Sequence, residues 1–253
     1  MPRLLTAVCG LLVAAVTSAA GEKVLAEKPV PIVTTSDLEM FPESWRKAPI
    51  TATGEAVAKG HEKRAVAVIE KALKKYPPAV LKKYVRKVYV LSELKFRGVT
   101  AGGTNSQEDV YVKVRDEVEG FTDEWVEQVF HAELSSILLR ENEKRFDTPA
   151  WVKFNPKGFK YLGDGVDAIK QNKADLKEQD VLMADGFLRE YSKASVEEDF
   201  NGFAALLLTG RKELWEAADR HPKVAGKLKL TIEFYQSIDK EFSEKALRAL
   251  APK

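Results

Sequence analysis

The stretch "FHAELSS" (130–136) decides how this chain folds. It lies midway along "FTDEWVEQVFHAELSSILLREN" (121–142), whose apolar residues recur at helical spacing. Thr122 is placed as an N-cap, Asp123 and Glu124 complement the helix dipole, and Phe121 and Val126 are spaced for a hydrophobic staple. At about 100° per residue, Glu133 shares a face with Val126, Val129, Phe130 and Ile137. A carboxyl on an apolar stripe must be paired, protonated or coordinating. No basic residue stands three or four positions away, and Arg140 is two turns along, so no local ion pair accounts for Glu133. A structural salt bridge to a distant lysine or arginine stays open. His131 points almost to the opposite side, towards Glu124 and Leu138. Its one-turn neighbour there is Ser135, a weak metal ligand, so His131 reads as a core or surface histidine.

Outward from this helix the pattern is α+β. "HEKRAVAVIEKALKKY" (61–76) sets Ala65, Val68, Ile69, Ala72 and Leu73 on one stripe and is stopped by Pro77-Pro78. "AVLKKYV" (79–85) continues as a shorter helix. "KVYVLSEL" (87–94) and "DVYVKV" (109–114) alternate as strands, and the glycine-rich "FRGVTAGGTNSQ" (96–107) turns the chain between them. Gly102 and Gly103 fit no phosphate-binding spacing and read as turn residues. "FDTPAWVKFNPKGFKYLGDG" (146–165) is a long aromatic loop whose Trp151, Phe154, Phe159 and Tyr161 either bind sugar or peptide or, as such rings more often do, pin the loop to the body. "VEEDFNGFAALLLTG" (196–210) is a helix, and residues 211–249 hold two more, separated near His221-Pro222. The order predicts a small sheet packed on the 121–142 helix, with a helical C-terminal part. The expected divisions are a helix-strand-strand-helix core over 60–142 and a helical part over 165–250, within a domain spanning 59–253. Residues 21–58, rich in Pro, Thr and Ala, read as an extended lead-in that Trp45 pins to the surface.

The second carboxyl of interest is Glu198, whose face carries the small residues Gly202 and Ala205. Ser195-x-x-Glu198 is a capping-box pattern, which by itself would employ Glu198 without any ligand. The functional reading comes from two carboxyls on separate helices, with Tyr191 seven residues before the second.

The helix around "FHAELSS" and the run "DGFLREYSKASVEEDFNGFA" (185–204) resemble the gluzincins. They look closest to the zinc-binding metallopeptidases related to the catalytic domain of anthrax lethal factor, over roughly residues 60–210. In that group a His-Glu-x-x-His helix places two histidines on zinc, and a glutamate from a later helix completes the ligands. The resemblance implies a zincin-like fold, Glu133 at the position of the catalytic base, Glu198 at the third-ligand position and Tyr191 at the oxyanion-stabilising position. It also implies that an extended peptide lies along an edge strand, "DVYVKV" or "KVYVLSEL". The histidine positions are Ala132 and Ser136. Alanine cannot ligate a metal and serine binds zinc poorly, so no tight zinc site and no cofactor are expected.

Composition and the N-terminus narrow the function classes. With 45% apolar residues in 253, the chain can bury a large core. Arg3, the apolar run from Leu4 to Val16 and Ser18-Ala19-Ala20 form a cleavable signal over 1–20, so a secreted or periplasmic protein is expected. The one cysteine, Cys9, falls inside it, which leaves the mature chain without disulfides or thiolate ligands. No later segment is apolar for long enough to span a membrane. Basic and acidic residues nearly balance, at 40 against 38, and the lysine runs sit on helix faces, so nucleic acid is not an expected partner. Together with these bounds, the resemblance implies a metallopeptidase-related protein, catalytically degenerate, that binds a peptide or protein partner or serves a structural role. The alternative is an active metal-dependent hydrolase with a non-standard set such as Glu133, Glu198, Asp199 and His61 or His221, suited to zinc or a harder divalent metal.

Overall fold

The computed structural model describes residues 21–251, so the expected signal over 1–20 lies outside the described residues. Seven strands form one mixed sheet: β1 (Lys23–Ala26), β2 (Ile32–Thr34), β3 (Thr53–Ala56), β4 (Lys87–Phe96), β5 (Val99–Thr100), β6 (Gly103–Asn105) and β7 (Asp109–Lys113). The order is β1-β2-β4-β7-β6, with β3 and β5 pairing antiparallel to the far half of β4. β4 lies parallel to β2 on one side and to β7 on the other, with Val88 opposite Ile32 and Val110. Two helices, α1 (Glu62–Leu73) and α2 (Pro78–Tyr84), make the crossover into β4.

The alternation in "KVYV" and "DVYV" sorts the sheet into two faces. Val88, Val90, Val110 and Val112 belong to a core shared with Ile69 and Leu73 of α1. The same core holds Phe130, Leu134 and Ile137 of α3 (Asp123–Glu141). Tyr89, Leu91 and Tyr111 point the other way, into a second cluster with Val33, Met40 and Phe41, and the two tyrosine rings stack 4.9 Å apart. The segment expected to be an extended lead-in is therefore corrected to a working layer. It supplies β1, β2 and β3 and covers the second face of the sheet. Trp45 meets Phe96 edge-on at 5.1 Å, which fixes this layer to β4.

A second correction concerns the glycine-rich stretch and the edge strand. "DVYVKV" and "KVYVLSEL" are inner strands, and it is β6, inside the stretch read as a turn, that ends the sheet beside α3. Gly103 explains this, because a methyl group there would lie 2.9 Å from Glu133 Oε1 and against Val129. Glycine lets the strand close onto the helix. A strand this short carries no alternation to read.

Past α3 come α4 (Thr148–Val152), α5 (Gly165–Lys170), α6 (Asp180–Met183) and α7 (Val196–Thr209), then α8 (Lys212–Arg220), α9 (Pro222–Ile238) and α10 (Glu244–Arg248). The break at His221-Pro222 falls where the sequence places it, while α10 goes unread there. α7 packs along α3, and this pair holds the cleft described next.

Candidate functional site

α3 starts where the sequence places its cap, with Thr122 accepting a hydrogen bond from the Trp125 amide. The staple differs, since Phe121 packs edge-on against Trp125 at 4.8 Å. The face of α3 that carries Ala132, Glu133 and Ser136 looks across to α7, which brings Glu198, Asn201 and Gly202. The turn before α7 brings Arg189 and Tyr191. Glu133, Tyr191 and Glu198 line one cleft of about 330 Å³ and an adjoining hollow of about 220 Å³. Residues that lie 65 positions apart in sequence thus share one site.

Glu198 is not used as a capping-box side chain. Its backbone N–H donates to Ser195 Oγ at 3.0 Å, while its carboxyl turns into the cleft and accepts from the Tyr191 hydroxyl at 2.9 Å. Burial pushes this carboxyl up to about 7, against the Tyr191 hydrogen bond, with Glu197 adding to the rise. Burial first, and then the Glu198 carboxyl beside it, push Tyr191 well above its ordinary range, so it stays a neutral donor. Gly165 of α5 packs directly on this pair, and a methyl group there would collide with both Tyr191 Oη and Glu198 Oε1.

Among the described residues Glu133 has no ionic partner, distant or local. It accepts one hydrogen bond from Asn105 Nδ2 of β6 at 2.8 Å. Arg140 reaches Asn105 Oδ1 at 3.1 Å and so positions the amide that holds Glu133. Burial pushes the Glu133 carboxyl up to about 8, with the Asn105 bond opposing and the Glu198 charge adding. At neutral pH the group is mostly a protonated acid, the reverse of what a water-activating base needs.

Ala132 and Ser136, which the resemblance sets at the zinc-histidine positions, have other contents. Ala132 lines the cleft and offers no donor atom. Ser136 is buried, and its Oγ accepts from Asn201 Nδ2 at 2.8 Å, while Ser135 Oγ donates to Asn201 Oδ1. One asparagine amide therefore uses both ends to clasp α3 to α7. The residues present do not fit zinc: Ala132 brings no donor atom, and the Ser136 hydroxyl is engaged by Asn201.

The other candidates fall elsewhere. His131 is a core histidine whose Nδ1 is hydrogen-bonded with the Tyr76 hydroxyl at 2.8 Å and whose Nε2 lies 3.6 Å from Glu127. Burial holds it down at about 4, so it is neutral. Asp199 faces away from the cleft and accepts from Lys227 at 2.6 Å and from Trp151 and Tyr161 at 2.9 Å each. His221 sits 2.9 Å from Asp180, and His61 sits 3.7 Å from Asp116. The alternative metal set is not assembled, and among the described residues no group of three His, Cys, Asp or Glu could hold a metal ion.

Sequence reasoning missed Asn105, Arg189, Asn201 and Glu127. Asn105 was hidden in the apparent turn. Glu127 is buried, and burial opposes but does not prevent its carboxyl being held at about 2 by His131, Lys71 and Lys75. A glutamate four residues before His131, on the face turned to the lysine-rich α1, was the available signal.

No family model matches the chain, and no curated protein matches it. Among solved structures, a "putative zinc-binding metallo-peptidase" from Bacteroides caccae is similar to this chain at 14% identity. The match covers 74% of this chain and 75% of that one, with a TM-score of 0.44.

Proposed function

We propose that the chain is a secreted, metallopeptidase-like protein in which the zinc site has been replaced by a helix clasp, leaving a cleft that holds an extended peptide without cleaving it. The observation that carries this reading is the Ser136–Asn201 hydrogen bond. It fills the second histidine position with a contact that joins two helices, while Ala132 removes the first. The protonated state of Glu133 supports it from the chemical side. A neutral acid gives up no basic lone pair to water, and without a metal the water's own pKa stays high. The open side of β6 beside the cleft supports the peptide, because an edge strand offers backbone hydrogen bonds to an added strand.

Ala132→His with Ser136→His tests the ancestry of the site. The folded double variant should bind one equivalent of zinc by isothermal titration, with Glu198 as the third protein ligand. A folded double variant that binds none would remove the zincin reading. Stoichiometric metal in the wild-type protein purified without chelator would remove the degeneracy.

A further inference from the structure

The cleft contains one base. Arg189 lines it, and no other lysine or arginine does. Only 7% of the residue is exposed, and among the described residues neither Nε nor Nη2 has a hydrogen-bond partner. Ser192 Oγ, also buried, has none either. These three atoms converge on one point. A methyl carbon placed on Gly202 would lie 3.5 Å from Ser192 Oγ, 3.6 Å from Arg189 Nε and 3.7 Å from Arg189 Nη2.

A guanidinium stays charged in a protein, so burying it without a counter-charge is unfavourable. The two carboxyls of the cleft are hydrogen-bonded elsewhere, Glu133 to Asn105 and Glu198 to Tyr191. Glu178, whose backbone bridges to Arg189, and Glu198 favour the charged guanidinium through space, but among the described residues no carboxylate bonds to it directly. That direct pair is left for a ligand to bring. Nε and Nη2 form the edge of a guanidinium that matches both oxygens of a carboxylate. The neighbouring walls, from Trp125, Val129, Ile169 and Leu176, are apolar.

We infer that Arg189, with Ser192 and the notch over Gly202, receives a carboxylate carried beside an apolar group: the free C-terminus of a peptide ending in an aliphatic residue. The inference rests on the peptide-holding reading for the rest of the ligand. Nε and Nη2 are themselves covered, so they pair when the guanidinium turns towards the cleft, a change of side-chain rotamer.

The test uses the mature chain and a fluorescent hexapeptide ending in leucine, as free acid and as C-terminal amide, read by anisotropy. The acid should bind at least about tenfold tighter, the range of a charge-assisted pair. Arg189→Gln should erase the difference. Gly202→Ala should do the same with the fold intact, since its methyl meets neighbours only at ordinary contact distance and alanine favours a helix. Equal binding of acid and amide to the wild type would overturn the inference. An amidated peptide with an internal glutamate that binds as well as the free acid would overturn the assignment to a C-terminus. If no peptide binds, N-acetyl-leucine and N-acetyl-leucinamide separate the two readings by NMR. Shifts with the acid alone keep the Arg189 site and remove the peptide, and no shift with either removes the site.

Discussion

Glu133 and Glu198 are two carboxyls in a cleft that burial keeps poorly solvated, Glu133 hydrogen-bonded to Asn105 and Glu198 to Tyr191 and Asn201. Their folded pKa values, about 8 and about 7, lie above the ordinary 4.5, so the folded protein holds protons that the unfolded chain releases. Their contribution to stability is complete below about pH 4.5 and is lost as pH rises through about 7 and then 8. His131 works in the other direction and in another window. Held down near 4, it lowers stability as pH falls from about 6.5, where the unfolded histidine takes up a proton. Between pH 7 and 9 the carboxyls therefore act without it. Glu133→Gln keeps the shape and an acceptor for Asn105 but cannot ionise. Thermal melts should find it more stable than the wild type at pH 9, by on the order of 1–2 kcal/mol after allowance for partial solvation, and much closer to it at pH 6. An unchanged gap between the two pH values would mean that Glu133 does not titrate in this range. The anomaly at Glu133 was legible in the sequence, because helical arithmetic placed a carboxyl among apolar neighbours. Its partner was not, since Asn105 arrives from a three-residue strand with no period of its own.

At the scale of elements, the cleft depends on how α3 and α7 are held together. Small residues let the helices approach, and Asn201 fixes their register through Ser135 and Ser136. Both hydroxyls are buried, so their hydrogen bonds cannot be taken over by bulk solvent. Asn201→Ala leaves them without this partner and should destabilise the protein by about 2 kcal/mol in urea unfolding. Glu198→Gln, one turn earlier on the same helix but facing the cleft, should change stability far less at pH 7. A reversed ranking would mean that the cleft carboxyl, rather than the clasp, couples the helices. The sequence shows the start of each helix plainly, through Thr122 and Ser195, since capping is a local transaction between a side chain and an amide three residues on. It offers Ser136 only as a histidine position of the resemblance and Ser135 only as a weak ligand one turn from His131. Their actual use requires a residue 65 or 66 positions away on another element, and no spacing within one segment encodes that.

Over the whole molecule, the α3–α7 pair joins the sheet half to the helical half. Within the helical half the tie is Asp199, which gathers Trp151 of α4, Tyr161 of the aromatic loop and Lys227 of α9 around one carboxylate. The latter pins the loop to the body, as its rings suggested, although Asp199 read in sequence as a spare metal ligand. The larger misreading concerns residues 21–58. Proline and threonine content suggested a lead-in, because strands of three or four residues are too short to display alternation against that background. In the fold, β2 is the parallel neighbour of β4, and Met40 and Phe41 lie on Tyr111, whose hydroxyl donates to the Met40 carbonyl at 2.6 Å. Deleting this segment would strip one face of the sheet, leaving Tyr89, Leu91, Leu94 and Tyr111 in water, and would open the edge of β4. A chain beginning at residue 21 should unfold in one sharp transition, whereas one beginning at residue 59 should lose near-ultraviolet circular dichroism and melt without a cooperative step. If the shorter chain instead melts sharply and keeps its near-ultraviolet signal, the helices alone support the sheet, and residues 21–58 are a lead-in after all.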